Sequence, residues 1–198
     1  CRGTKLLKSL NYRYCSFPFD WEFTTGLETI NNILLDDFEY FHKNYFINRT
    51  KQFNMSKFGH QSTKKNILLF SDTYKGLVLR HHDIVSSIED EDKINRRIER
   101  FRFVTGEKVF LRMLNEEALN VSVDKHGDKL EDMPDDKDLG ILKDNISTFH
   151  EATGESMLVL LTRYKTVKKE INGKRVKVFL RRKSLSKELD EWLKGLRL

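Results

Sequence analysis

The chain is short of cysteine, with only Cys1 and Cys15 among 198 residues. Two thiols cannot staple a chain of this length into a disulfide framework, and their scarcity points to a reducing, cytoplasmic setting. Proline is also scarce, at two residues, and no Pro/Gly-rich stretch or internal repeat divides the sequence. One domain over 1–198 is therefore the economical organisation. Long apolar runs are missing as well. The longest, Met157–Leu161, is strand-sized and far below the roughly 20 residues a bilayer helix needs, so no membrane span is expected. The chain opens at Cys1 and not at methionine, which reads as trimming or processing.

Core material is plentiful. Hydrophobic residues make up 38% and aromatics 11%, with 14 Phe. A chain of this size hides roughly 70% of its unfolded surface without needing staples. Charged residues reach 33%, with 36 basic against 30 acidic and a net charge of +6. The excess base gathers in Arg163–Lys169 and Lys174–Lys183. It reads first as a solvated, lysine-rich hairpin, and second as a surface for an acidic partner. Only Tyr164 and Phe179 interleave there, too few to stack bases, which argues against nucleic acid. Oligomeric state leaves no mark.

The periodicity places helices over Arg2–Asn11, Gly26–Phe41 (capped by Thr24 or Thr25), Ile88–Phe103, Asp138–His150 and Leu185–Leu196. Strands fall over 66–71, 76–79, 108–114 and 157–164. Asn172-Gly173, between Val167–Ile171 and Val176–Leu180, signals a type I′ hairpin. Residues 43–65 read as an irregular excursion and 123–138 as an acidic loop. The expected class is α+β, with a mainly antiparallel sheet.

One cysteine stands where chemistry favours a thiolate. Cys1 precedes a helix, whose unpaired amides and dipole stabilise negative charge, and Arg2 and Lys5 add positive potential. A thiolate nucleophile needs an imidazole, and His81 and His82 follow a strand that can hold a base in place. A third group that fixes the imidazole's tautomer is offered at the exit of the next strand by Asn115, Glu116 and Glu117. A metal pair of Cys1 and Cys15 with His81 and His82 matches no zinc spacing, so neither metal nor cofactor is expected. Spacing alone leads no further than a small α+β domain.

The local words lead further. Cys1 with a Leu-bearing helix is followed by Tyr14-Cys15-Ser16-Phe17-Pro18-Phe19-Asp20-Trp21, then by a helix ending in Leu35-Asp36-Asp37-Phe38. His82-Asp83-Ile84, Lys93-Ile94-Asn95-Arg96-Arg97-Ile98-Glu99-Arg100-Phe101 and Val109-Phe110-Leu111-Arg112 come next in order. Over residues 1–115 this resembles the papain-like cysteine peptidase family that opens with a cysteine, a helix and an S-x-P-F-D-W block. The resemblance implies a papain-like arrangement whose N-terminal helix carries the nucleophile. It implies Cys1 as nucleophile, His82 as general base with His81 in reserve, and Asn115 as orienter with Glu116 second. The substrate would be a peptide or another acyl compound. The family's Ser-Leu-Gly strand ahead of the cysteine has no counterpart here. Phe17, Phe19 and Trp21 read first as core plugs and second as a substrate wall. Asp20 reads as a loop brace and as a reserve acid. One of Arg96, Arg97 and Arg100 is expected to turn inward onto an acid such as Asp20 or Asp83, with Arg97 a candidate for lining the pocket.

Overall fold

A computed structural model describes residues 2–12, 15–20, 22–24, 26–41, 43–47, 69–79, 82–114, 139–154, 156–171 and 173–196. Helix α1 (Arg2–Ser9) opens it. The chain reverses at Asn11, whose φ of 60° is left-handed. The amides of Asn11 and Tyr12 return to the carbonyls of Lys8 and Leu7 at 3.2 and 3.0 Å, which closes the helix end. A single 3-10 turn (Pro18–Asp20) and strand β1 (Glu22–Thr24) lead into helix α2 (Leu27–Leu35).

Helix α2 is shorter than its periodicity suggests. Its N-cap is Gly26, with no side-chain cap bond, and not a threonine. It stops at Leu35 because Asp37 and Phe38 adopt φ of 51° and 65°, while the Phe38 amide bonds back to Ile33 at 2.9 Å. Phe38 and Phe41 still drop into the core from the turns that follow, so the apolar spacing survives a break in the helix.

Strands β2 (Tyr45–Ile47), β3 (Leu69–Ser71) and β4 (Leu77–Leu79) join β1 in an antiparallel sheet ordered β1-β4-β3-β2. Strand β2 lies in the stretch read as irregular; three residues are too few to display alternation. The rest of that stretch, from residue 48, lies outside the described residues, as does the acidic loop. Helix α3 (Ile88–Phe103) lies over this sheet, with Ile94 and Ile98 packed among Leu69, Leu77, Leu79 and Phe38.

A second sheet follows, built from β5 (Val109–Met113), β6 (Met157–Thr162) and β7 (Val176–Leu180). It is ordered β5-β6-β7 and is parallel throughout. This overturns the expectation of a mainly antiparallel sheet, because the longest strands run side by side in one direction. Helix α4 (Leu139–Thr153) lies between β5 and β6 in the chain, and helix α5 (Lys165–Glu170) between β6 and β7.

The hairpin expected around Asn172-Gly173 is therefore absent. Val167 and Ile171 are four apart, so on a helical turn they reach one core together, the one that holds Leu142, Leu158 and Val176. As a strand the same segment would point Lys169 inward with them. Burying an unpaired ammonium costs more than a tight turn returns.

Both faces of the parallel sheet are covered. Leu158, Leu160, Val176 and Val178 face α2 and α4. Val159, Leu161 and Phe179 face α1 and helix α6 (Leu185–Gly195), which brings Leu189 and Leu193. Double coverage is the usual condition for a parallel sheet. Phe19 and Leu34 touch both the α2–α4 core and the core under α3, so the two sheets share packing through them.

Candidate active site

Helix α3 organises the surroundings of His82. Ser87 caps it, accepting from the Asp90 amide at 3.3 Å, and Asp90 turns back to accept from the Asp83 amide at 2.9 Å. The Asp83 carbonyl accepts from the amides of Ser86 and Ser87, and its side chain also accepts from Ser86. These bonds fold 83–87 into a tight corner that presses His82 against α3. Its side chain is 9% exposed.

Arg97, two turns along α3 from Asp90, lies on the other side of the imidazole, its guanidinium 2.8 Å from Nε2. A guanidinium only donates, so Nε2 must accept and the neutral ring carries its proton on Nδ1. That Nδ1 is buried with no bond inside ordinary hydrogen-bond range, and it faces Asp90 Oδ1 at 3.6 Å. Burial pushes the His82 pKa down, and Arg97 pushes it the same way; together they outweigh the opposing pull of Asp90. His82 is thus a neutral imidazole in one tautomer.

The same helix reaches the aromatic loop. Arg100 donates to the Ser16 carbonyl at 3.2 Å, and Phe101 meets Phe19 edge to face at 6.2 Å. Phe19 also meets Phe38 in a tilted contact and Phe41 edge to face, and packs against both cores. Asp20 braces the loop: its carboxylate accepts from the Phe17 amide at 2.7 Å. Its backbone carbonyl accepts from Thr4 on α1 at 2.6 Å. A continuous path of contacts therefore runs from His82 through Arg97, along α3 to the Ser16–Asp20 loop, and on to the first turn of α1.

Of the site residues expected from the sequence, His82, Arg97, Phe19 and Asp20 belong to this path. Cys1, Trp21, His81, Asn115 and Glu116 lie outside the described residues. Arg97 turns its guanidinium inward onto the imidazole of His82. Asp90 was not among the candidates; its signal is the Ser-x-x-Asp capping spacing of Ser87 and Asp90, just after the histidines. His150 on α4 is a second imidazole whose nitrogens are buried without hydrogen-bond partners, and burial lowers its pKa too. Among the described residues no group of three or more His, Cys, Asp or Glu is placed to hold a metal ion. No helix among them is long and apolar enough to cross a membrane.

The model of the family described as putative papain-like cysteine peptidase (DUF1796) matches residues 1–126. The chain belongs to that family. The match covers α1, the aromatic loop, His82 and α3, which are the elements along the contact path above. It ends before the last two strands of the parallel sheet, so β6, β7 and helices α4, α5 and α6 lie beyond the matched part. No curated protein and no solved structure matches the chain.

Proposed function

We propose that this member of the family is a thiol hydrolase or acyltransferase in which Cys1 is the nucleophile and His82 the general base. The observation that carries the reading is His82. It is a neutral imidazole whose basic lone pair sits on Nε2 and whose ring is held by helix α3 and the 83–87 corner. His81, its neighbour in sequence, is the reserve base, and Asp20 the reserve acid.

In this reaction the Cys1 thiol passes its proton to His82 Nε2 as the Arg97 guanidinium gives up that position. The sulfur bonds to the carbonyl carbon of an amide, ester or thioester, and the carbonyl π electrons move onto oxygen. Collapse re-forms the carbonyl and breaks the bond to the leaving group, which takes the proton from the imidazolium. Water then cleaves the acyl-cysteine to an acid, or an amine or alcohol accepts the acyl group. Asn115 and Glu116, directly after β5, are the candidates for contacts to the imidazole or the substrate. Peptides are the first substrates to try. The low cysteine content favours a reducing, cytoplasmic compartment.

The test is alkylation by iodoacetamide between pH 6 and 8, read by mass spectrometry at Cys1 and at the exposed, free Cys15. Cys1 should react about tenfold faster or more, since a paired thiolate persists below the usual thiol range. His82→Ala should remove the difference, and Cys1→Ala should remove the fast label while leaving the far-UV spectrum unchanged. Equal rates at the two thiols would defeat the proposal.

A further inference from the structure

The reading above leaves open which group holds the imidazole. We propose that Asp90 is the positioning residue of His82, in the role the sequence pattern gave to Asn115 or Glu116. The inference rests on the thiol-enzyme reading for its purpose, but its geometry stands by itself.

Three observations support it. First, Nδ1 is the nitrogen left for an orienting group, because Nε2 accepts from Arg97, and Nδ1 faces Asp90 Oδ1 at 3.6 Å. Second, the carboxylate is fixed. Its Oδ2 accepts from the Asp83 amide at 2.9 Å, its Oδ1 meets Lys93 Nζ at 3.2 Å, and its own amide is tied to Ser87. Third, the pair is well shielded, with side chains 9% and 14% exposed, so their attraction is little screened. The distance is long for a resting hydrogen bond. Such contacts are often loose before substrate binds, and a proton arriving at Nε2 makes Nδ1–H a stronger donor.

The charges around His82 sort by sign. Arg97 and Lys93 on α3 oppose its protonation, and Asp90 on the same helix favours it. Asp90 itself stays ionised. Burial raises its pKa, but the Asp83 amide, Lys93 and His82 together bring it below the ordinary carboxylate range. Among the described residues, the anion beside the imidazolium formed during catalysis is Asp90, eight residues along the chain. Among the same residues, Arg97 sets the tautomer and Asp90 faces the protonated nitrogen.

The experiment uses the whole chain labelled with ¹⁵N-histidine, with the ring nitrogens of His82 followed by NMR as pH is lowered, in the wild type, Asp90→Asn and Asn115→Ala. The wild type should show the Nδ1–H tautomer. Asp90→Asn should lower the His82 pKa further, while Arg97 keeps the proton on Nδ1. One unit of that shift corresponds to about a tenfold loss of the imidazolium form, and the rate of Cys1 alkylation near pH 6.5 should fall with it. Asn115→Ala should leave tautomer and pKa alone. If Asp90→Asn unfolds the chain, Asp90→Glu, which keeps the charge but displaces it, should shift the same signals. Unchanged His82 resonances in the folded Asp90 variant would overturn the proposal, and so would a tautomer change in Asn115→Ala. A slow Cys1 with an intact response to Asp90→Asn would instead count against the thiol-enzyme reading alone.

Discussion

The hydroxyl of Thr4 donates to the backbone carbonyl of Asp20 at 2.6 Å, and this bond fastens the first turn of α1 to the aromatic loop. Thr4 is buried. Replacing it with valine keeps the shape but leaves the Asp20 carbonyl without that donor, at a cost of about 1–2 kcal/mol. Thr4→Ser should recover most of the loss. Urea midpoints of the three proteins measure it; a valine variant as stable as wild type would mean the bond is exchanged freely for water.

Tyr74, 2% exposed, places its hydroxyl 2.6 Å from both carboxylate oxygens of Asp36. Burial and the neighbouring carboxylate raise its pKa, so it stays a phenol and donates. It also accepts from the Tyr40 amide at 3.2 Å, which ties the turns after α2 to the β3–β4 corner. Tyr74→Phe should cost about 1.5–3 kcal/mol, as expected for a hydrogen bond to a charged partner. The loss should shrink in a background that already carries Asp36→Ala, and a double-mutant cycle reads the coupling directly.

Asn11 ends α1 at φ 60°, and its side chain is exposed. Asn11→Gly should be neutral or stabilising by a few tenths of a kcal/mol, because glycine adopts this region freely. Asn11→Val should cost about 1–2 kcal/mol from the clash of a branched side chain in the left-handed region. Thermal melts of the pair should bracket the wild type, and a valine variant that melts with it would show that the helix end had moved.

Stability should fall on mild acidification. His82 and His150 both have pKa values lowered by burial from the ordinary 6.5, so the unfolded chain binds more protons than the folded one below that pH. Their stabilising contribution is complete above about pH 6.5 and is lost as pH falls through the window down to the folded values. Urea midpoints at pH 7.5, 6.5 and 5.5 should therefore decrease in that order. The slope should flatten in His150→Leu, which fills the same site without a proton to gain. Asp90 adds a second loss at lower pH, since its pKa is held below 3.8.

The family signature was legible because it is local. Cysteine, helix, Ser16–Trp21 block, His82-Asp83 and the Arg96–Phe101 segment are short words in a fixed order, and the helices that contain them obey the 3.6-residue period. Helix α3 matched its expected bounds because its capping serine, acidic first turn and Ile94–Ile98 spacing agree with one another. The parallel sheet is also written in the sequence, in the unbroken Met157–Leu161 run of a strand buried on both faces, whereas the Asn-Gly pair suggests an antiparallel hairpin. Turn chemistry describes only what a dipeptide tolerates; it does not say which strand lies alongside.

The sequence by itself determined the family, most of the helices and the pool of histidines, since each depends on neighbours within a few positions of the chain. Tertiary structure decided strand direction and the state of His82. Both depend on groups that meet only after folding: α1 and α6 closing one face of the parallel sheet, and Arg97 and Asp90 arriving on opposite sides of one ring. Direction follows from which faces must be covered, and the proton's place on the imidazole follows from which nitrogen meets a group that can only donate.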